Sequence, residues 1–542
     1  MKCTAIIALI LCLPSLAQSY DMTRRDRMNI LYSNQVVFDR RGEPLVSVRL
    51  TESQEEIKFK TRGGAVLMPS GDSSSQVRSP ARTEWTVRLE SSQAGQTRWW
   101  LATERFPAHK MSTIAARRLH WSDQGYEVKL FEAGALIGLA GQTLDTRTIT
   151  IGIAPQKTRL AALRMAYDIA DQLSLKDQVV AEPVTRPSGW LVAKEKRSGI
   201  EIRSKDLIWL TPNDGQTTKI IDLEWGHGTP KRGRMDRTYA GDLYFTVGQD
   251  GLLAAANVLS AEQLLEGVVP SELYTSAPME ALKAQSVTAR GQLLTKVGTR
   301  HRSDPYLLCA ETHCQVYSGT TKKHPRTSRA VQDTRGQLLF HGDDLVDTTY
   351  SSTCGGHSEA FHKMWGGTPL PYSMGQLDNQ TADPTPLTEE NLAQFLEQPP
   401  PSFCGKRKGL FRWRVKRTGR EVTEAVNRIA AIGDVHTIAA VERGHSGRAL
   451  RVKYTGTRGS HVVDGSYNNR KLLGGLRSGM WLVKRRGGTP DSAPKTWTFR
   501  GGGFGHGVGM CQHGAMDMAQ RSNTFDAILK HYYPGSTLKR AW

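Results

Sequence analysis

The chain is short of acid, of aromatic rings and of long apolar runs. Aspartate and glutamate number 52 against 72 lysines and arginines, a net charge of +20. That imbalance predicts attraction to polyanions: nucleic acid, an anionic membrane or an acidic cell-wall polymer. Aromatics make up 7% of the chain and hydrophobic residues 38%, the composition of a globular protein on the polar side. The one marked apolar run, Ala5 to Leu13, is too short to span a bilayer, and no second candidate follows it. No zinc-finger, basic-zipper or RNA-stacking motif accompanies the basic charge, which argues against nucleic acid. HExxH is absent, which excludes the common zinc-protease helix. No G-x-x-x-x-G-K or G-x-G-x-x-G register supports a nucleotide loop. Internal repeats are absent too.

What is present begins with an address. Lys2, the apolar core Ala5 to Leu13 and the small-x-small site Ser15-Leu16-Ala17 predict a signal peptide over residues 1–17. The mature chain then starts near Gln18. Cys12 follows Leu11, a poor fit to a lipoprotein cleavage box. The expectation is export, to the periplasm or to the cell wall and extracellular space. Cys3 and Cys12 leave with the signal. The remaining five, Cys309, Cys314, Cys354, Cys404 and Cys511, all lie in the second half. An oxidising compartment favours disulfides, but five is odd, so at least one thiol is free or metal-bound.

At 542 residues, two to three domains are expected. Residues 18–90 read as a β-rich segment of short alternating strands. Residues 91–176 change to strand, helix, strand, strand, helix, which is split α/β logic compatible with a ferredoxin-like sheet. Residues 177–187 read as a linker. A second β-rich run opens the last region, 188–542. The fold class is α+β and multi-domain. Trp99, Trp100, Trp365 and Trp413 offer faces to sugars or fill cores.

The stretch Leu264 to Arg290 carries the sharpest chemistry. Ser260-Ala261-Glu262-Gln263 is a capping box that starts a helix, and Pro270 is expected to break it. Glu272 then falls in the connection to a second helix, with Ser276 as its N-cap and Pro278 in its first turn. Met279, Leu282, Ser286, Ala289 and Leu293 follow on one face. A carboxyl between two packed helices loses water, which raises its pKa toward what a general acid needs. A solvated loop glutamate is the competing reading.

Four separated motifs then line up: GVVPSELYTSAPMEALKAQSVTAR, CAETHCQVYSG, DTTYSSTCGGHSEA and GGGFGHGVGMCQHGAMDMA. In this order, across Ser188 to Trp542, they resemble the SpoIID/LytB family of bacterial cell-wall proteins. The upstream 91–176 module resembles a SPOR domain, a binder of peptide-stripped glycan, in architecture alone. The SpoIID resemblance implies a mixed α/β domain with a substrate groove. It also implies lytic transglycosylation of peptidoglycan glycan strands, with Glu272 as catalytic acid. Water is not the nucleophile in that reaction, so a second carboxylate is not obligatory, though Glu359 and Asp347 are candidates. The resemblance further points to Lys283 and Arg290 as cations for the lactyl carboxylate of MurNAc. It places Tyr350, Ser352, Thr353, Gly355 and Gly356 at the groove, with His506 and Gln512 turned toward it. Where many relatives carry Trp, this chain has His513. The reaction requires no cofactor. Cys309-x4-Cys314, with His301 and His313 nearby, has the spacing of a structural zinc site through His301, Cys309 and Cys314. A Cys309–Cys314 or Cys354–Cys404 disulfide is the rival.

Three function classes follow. The first is a transglycosylase acting on glycan strands. The second is a non-catalytic wall-binding protein that recruits an amidase. The third is a metal hydrolase built on His506, Cys511 and His513.

Overall fold

The computed structural model describes residues 22–32, 36–134, 136–139, 142–169, 179–213, 215–226 and 233–542. The expected signal peptide, residues 1–17 with Cys3 and Cys12, lies outside them. Among the described residues no helix is long and apolar enough to cross a membrane. Helices and strands share the chain, as the α+β expectation requires.

Two antiparallel sheets form the frame. One runs through strands Val37–Phe38, Pro44–Gln54, Leu253–Ser260, Asp242–Val247, Leu207–Pro212, Ala65–Pro69 and Val77–Ser79, with Leu308–Cys309 joining Pro44–Gln54 in parallel. The other orders Glu201–Lys205, Ser188–Glu195, Glu84–Gln93, Glu56–Thr61, Thr218–Trp225 and Gly233–Tyr239. The β-rich N-terminal segment therefore does not stand apart. Its strands pair with those after Ser188, and Phe59, Trp85, Leu191, Ile208 and Phe245 share one buried core. Alternation along each short strand shows which residues face inward; which strand lies beside which is a tertiary fact.

The α/β module is thus an insertion into this frame. Its strand order is Val179–Thr185, Gln96–Pro107, Thr148–Gln156, Val128–Ala133, antiparallel throughout, with helices Met111–Asp123 and Arg159–Asp168. That is the split βαβ arrangement expected of it. The linker read over 177–187 is instead largely the fourth strand, which adds to Gln96–Pro107 and completes the sheet; residues 177 and 178 lie outside the described set. A hairpin, Leu136–Leu139 with Gln142–Asp145, leaves the module and buries Ile137 and Leu144 in the main core.

The helix Ala261–Glu272 begins on the capping box as expected: Ser260 Oγ accepts from Gln263 N–H, and Gln263 reaches back to Ser260 N–H. Pro270 does not break it. The proline sits in the last turn, where Val268 and Val269 are buried in the core and Ser271 Oγ donates to the Gly267 carbonyl (2.8 Å). Packing outweighs the single lost hydrogen bond, and Glu272 becomes the last helical residue. The second helix, Met279–Lys296, starts from Pro278 as N-cap, so Ser276 does not cap it. Nearly every side chain from Ala281 to Leu294 is buried, on all faces, and not on the one apolar stripe alone.

The two helices are clamped where they cross. Arg290, fully buried, donates from Nε and Nη2 to both carboxylate oxygens of Glu262 at 2.8 Å. Gly336 N–H (3.1 Å) and Trp542 Nε1–H (3.0 Å) complete the carboxylate's shell. Beyond the helices, two three-stranded sheets (Arg412–Thr418, Thr496–Gly502, Trp481–Arg486; and Val435–Arg443, Ala449–Gly456, Gly459–Asp464) enclose a further core around Trp413, Tyr454, Trp481 and Trp497. Breaking one half of a buried bidentate pair leaves an uncompensated charge. Glu262→Gln is therefore expected to destabilise by about 3–5 kcal/mol in chemical denaturation; a cost under about 1 kcal/mol would contradict the clamp.

Candidate active site

The other three motifs meet the first at Glu272, and two glycines let them approach. A Cβ on Gly267 would lie 2.6 Å from the Tyr317 ring and 2.7 Å from Gly319 O, so only glycine admits the Cys309–Gly319 loop against the first helix. That approach brings Val316 N–H to Glu272 Oε1 at 2.8 Å. A Cβ on Gly291 would lie 2.3 Å from Thr348 Oγ1. Its absence lets the third motif cross the long helix, where Thr348 Oγ1 donates to Thr288 O (2.7 Å), and carries Tyr350 up to Glu272. From the fourth motif, Gln512 Nε2 donates to the Glu272 carbonyl (3.0 Å) and to Gln285 Oε1 (3.1 Å).

Burial raises the Glu272 carboxyl above the ordinary range; the Val316 N–H, the Lys296 and Lys322 charges and the Tyr350 hydroxyl oppose that shift without cancelling it. Asp347 is raised as well, again by burial, against Lys296 and hydrogen bonds from Thr349 and Gln292. Lys296 interacts with both carboxyls, and its own pKa is lowered by burial. Its Nζ donates to Cys314 O (2.6 Å). Sequence reading missed Lys296. It is the last residue of the buried helix, five residues beyond Gly291, and only the fold brings it near two carboxyls.

Other expected site residues divide sharply. Tyr350 is at the site, its hydroxyl donating to Gln315 Oε1 (3.0 Å), and Ser352 is half-buried beside it. Arg290 is not available to a ligand, being consumed by Glu262. Lys283 pairs with Glu280 (2.9 Å) and lies over the Phe525 ring, so it too is structural. Thr353 is buried with its hydroxyl on His513 Nδ1 (3.1 Å). Gly355 and Gly356 have φ of +81° and +97° and are buried. A Cβ on Gly355 would meet Gly503 N at 2.7 Å, so the close approach is to protein backbone and not to sugar. Gln512 is buried behind Glu272 instead of facing outward. Glu359 is fully buried, accepting from Ala360 N–H, His445 N–H and Ser446 Oγ–H, and holds a loop.

His506 is partly buried against Trp365, ring centroids 5.0 Å apart. Burial, with Arg448, Lys296 and Arg470 nearby, pushes its pKa down to about 3, so the ring is neutral near pH 7. Its Nδ1 accepts from Val508 N–H (3.1 Å), which leaves the proton on Nε2. His513 accepts from Arg407 Nε (3.1 Å) at Nε2 and donates from Nδ1 to Ser352 O (2.8 Å). It is internal wiring at the position where many relatives carry Trp. His506, Cys511 and His513 share no common point among the described residues, and the metal-hydrolase class loses its ligand set. Of the four tryptophans singled out, Trp100 and Trp413 are buried, Trp99 is half-buried and Trp365 is exposed. Tyr274 and Phe504 are further exposed rings.

His301, Cys309, His313 and Cys314 converge, with one ligand atom from each within 4.8 Å of the others. The chain has no disulfide at Cys309, Cys314, Cys354, Cys404 or Cys511. Cys314 S–H and His301 hydrogen-bond to Cys309 and hold its pKa below the usual thiol range, against burial. His301 Nδ1 is held by Asp304 Oδ2 (2.9 Å), which turns Nε2 toward Cys314 Sγ (3.4 Å).

Residues 249–341 match the Stage II sporulation protein family, SpoIID, and residues 359–509 match a domain of unknown function, DUF8618. The first includes Glu272 and the four clustered His and Cys residues. The chain is 31% identical over 299 residues to the "Amidase enhancer" of Bacillus subtilis (strain 168), which covers 51% of this chain and 40% of that protein. It is 27% identical over 299 residues to "Stage II sporulation protein D" of the same organism, covering 52% of this chain and 74% of that protein. An uncharacterized protein of Brachyspira hyodysenteriae (strain ATCC 49526 / WA1) matches at 28% identity over 55% of this chain and 71% of its own length. The chain thus spans less than half of the first of these relatives.

A carboxyl whose pKa is raised on folding binds its proton more tightly in the native state. Native stability contributed by the protonated form is then lost as pH rises from the ordinary carboxyl range through the raised value. Glu272→Gln is accordingly expected to melt at a higher temperature than wild type at pH 7.5–8, with the gap closing toward pH 4. An equal or lower melting temperature at pH 8 would contradict the raised pKa.

Proposed function

We propose that this chain, which carries a domain of the SpoIID family, is an exported lytic transglycosylase that cleaves MurNAc–GlcNAc β-1,4 bonds of peptide-stripped glycan strands. The observation that carries the reading is Glu272: one partly buried carboxyl, raised by burial, at the meeting point of the four motifs. Glu272 protonates the leaving oxygen as positive charge builds at C1. The resulting carboxylate then takes the proton of the MurNAc C6 hydroxyl as that oxygen closes on C1, giving a 1,6-anhydro end. Val316 N–H and Lys296 stabilise the carboxylate between the two proton transfers. Exposed Lys322, close enough to Glu272 to act on its charge, and Arg407, above the Tyr274 ring, replace Lys283 and Arg290 as cations for the lactyl carboxylate. Tyr274, Trp365 and Phe504 supply rings for sugar faces.

A second reading rests on the relative named an amidase enhancer: a wall-binding protein that recruits or stimulates an amidase without cutting glycan. Digestion of amidase-treated, peptide-free glycan decides between them. Wild type is expected to leave anhydro-MurNAc ends by mass spectrometry, with Glu272→Gln at least about 100-fold slower, the range of a general acid–base contribution. Because the acid form starts the reaction, the rate falls as pH rises through the raised Glu272 value. No ends from wild type, with pull-down on the same glycan retained, would favour the recruiter.

The fit of His301, Cys309, His313 and Cys314 to a Cys₂His₂ zinc set supports a structural ion here. Coordination through His313 Nδ1 puts its proton on Nε2 and displaces the Arg300 contact at that atom (2.9 Å). The ion's role is to order the loop, whose Val316 N–H and Cys314 carbonyl hold Glu272 and Lys296. Strong chelation is expected to lower both the melting temperature and the glycan cleavage rate, and zinc to restore them; no change in melting temperature would sink the assignment.

A further inference from the structure

A second cluster is built from parts of the chain separate from the Cys₂His₂ loop. Cys354, Asp378, Cys404 and Cys511 come from four distant segments, are all buried, and each offers a ligand atom within 4.8 Å of the other three. Cys354 Sγ and Cys404 Sγ are 3.6 Å apart, and the Cys354 N–H points at Cys511 Sγ (3.2 Å). Tetrahedral zinc with bonds of about 2.3 Å separates its sulfurs by about 3.8 Å. An iron–sulfur cluster places its thiolates farther apart than this group allows. A disulfide uses two sulfurs and leaves the third stranded in an apolar core made by Phe403, Phe411, Met510 and Tyr532.

The surroundings are those of a ligand set. Asp378 is held from outside, Oδ1 accepting from Tyr532 O–H (2.7 Å) and Oδ2 from Cys404 N–H (3.2 Å), which orients the carboxylate and leaves lone pairs free. His531 Nε2, buried, sits 3.8 Å from Asp378 Oδ1. Three thiolates and a carboxylate around a divalent ion carry a net charge of −2. Two guanidiniums face that charge: Arg448 Nη2 donates to Cys354 O (2.7 Å) and Arg412 Nη1 to Gly355 O (2.9 Å).

We propose that Cys354, Cys404, Cys511 and Asp378 bind a second structural metal ion, a tetrahedral thiophilic divalent cation of the zinc class. Soft thiolates with one carboxylate select zinc over magnesium or calcium. The ion ties the third motif to the fourth: Ser351 pairs in register with Cys511, and Gln512, the next residue, holds the Glu272 carbonyl. It is a positioning site and touches no substrate. It stands independently of the glycan-cleavage reading.

The test is metal content of the full mature chain by plasma mass spectrometry, in wild type and in Cys309→Ser/Cys314→Ser, which removes the other cluster. The double variant is expected to retain one zinc per chain, and adding Cys404→Ser or Asp378→Asn to lose it. If the double variant fails to fold, cobalt titration of wild type replaces it. Two equivalents are then expected, with thiolate-to-cobalt charge-transfer intensity for five thiolates. Zinc content unchanged by both Cys404→Ser and Asp378→Asn, no ion in the folded double variant, cobalt saturation at one equivalent, or a Cys354–Cys404 cross-linked peptide in a non-reduced digest would each overturn the proposal.

Discussion

The crossing of two helices governs the rest of the molecule, and one ion pair governs the crossing. Arg290 and Glu262 meet with the guanidinium fully buried, and Gly336 and Trp542 close the carboxylate's shell. Charges are buried only at a price in desolvation, and they persist where hydrogen bonds satisfy every remaining site. Here they do, and the pair binds the first helix to the second and both to the C-terminal residues. Glu272 ends the same helix, ten residues beyond Glu262, so its position follows from this clamp.

At the site itself burial opposes a positive field. Removal from water pushes the protons onto Glu272 and Asp347, while Lys296 draws them off, so neither effect runs to its limit. A carboxyl poised in this way gives and takes a proton at modest cost. His506, neutral near pH 7 because burial and three cations disfavour its charge, adds no further positive charge beside Lys296.

Both flanks of Glu272 end in thiol clusters. One holds the loop whose Val316 N–H meets the carboxyl, the other the segment whose Gln512 meets the backbone carbonyl. Long connections that carry few regular elements have little else to fix them, since the third motif contributes only Tyr350–Ser351 to a sheet. Bound ions, as proposed above, would do for these loops what helix packing does for the first motif.

Part of this was legible in residues alone. The capping box, the split α/β pattern and the spacing of Cys309 and Cys314 follow from local rules of caps, alternation and ligand chemistry, which act within a few residues. Glu272 was singled out by the family resemblance and not by spacing, and that the module is an insertion was not legible. The failures share one cause. Pro270 was read by its own propensity, but packing on both flanks carried the helix past it. Lys283 and Arg290 were expected to be cations for a ligand, yet the helix is buried nearly all round and Arg290 found Glu262 twenty-eight residues away. Val179–Thr185 looked like a linker because an edge strand needs no pattern beyond a partner to pair with. Cys354, Asp378, Cys404 and Cys511 have no spacing that announces a site, because four separate segments converge there. The sequence by itself determined which groups with chemistry are present and how each short stretch starts. Only the tertiary structure decided which of them meet, because burial, charge pairing and ligand convergence depend on distances through space that chain spacing does not encode.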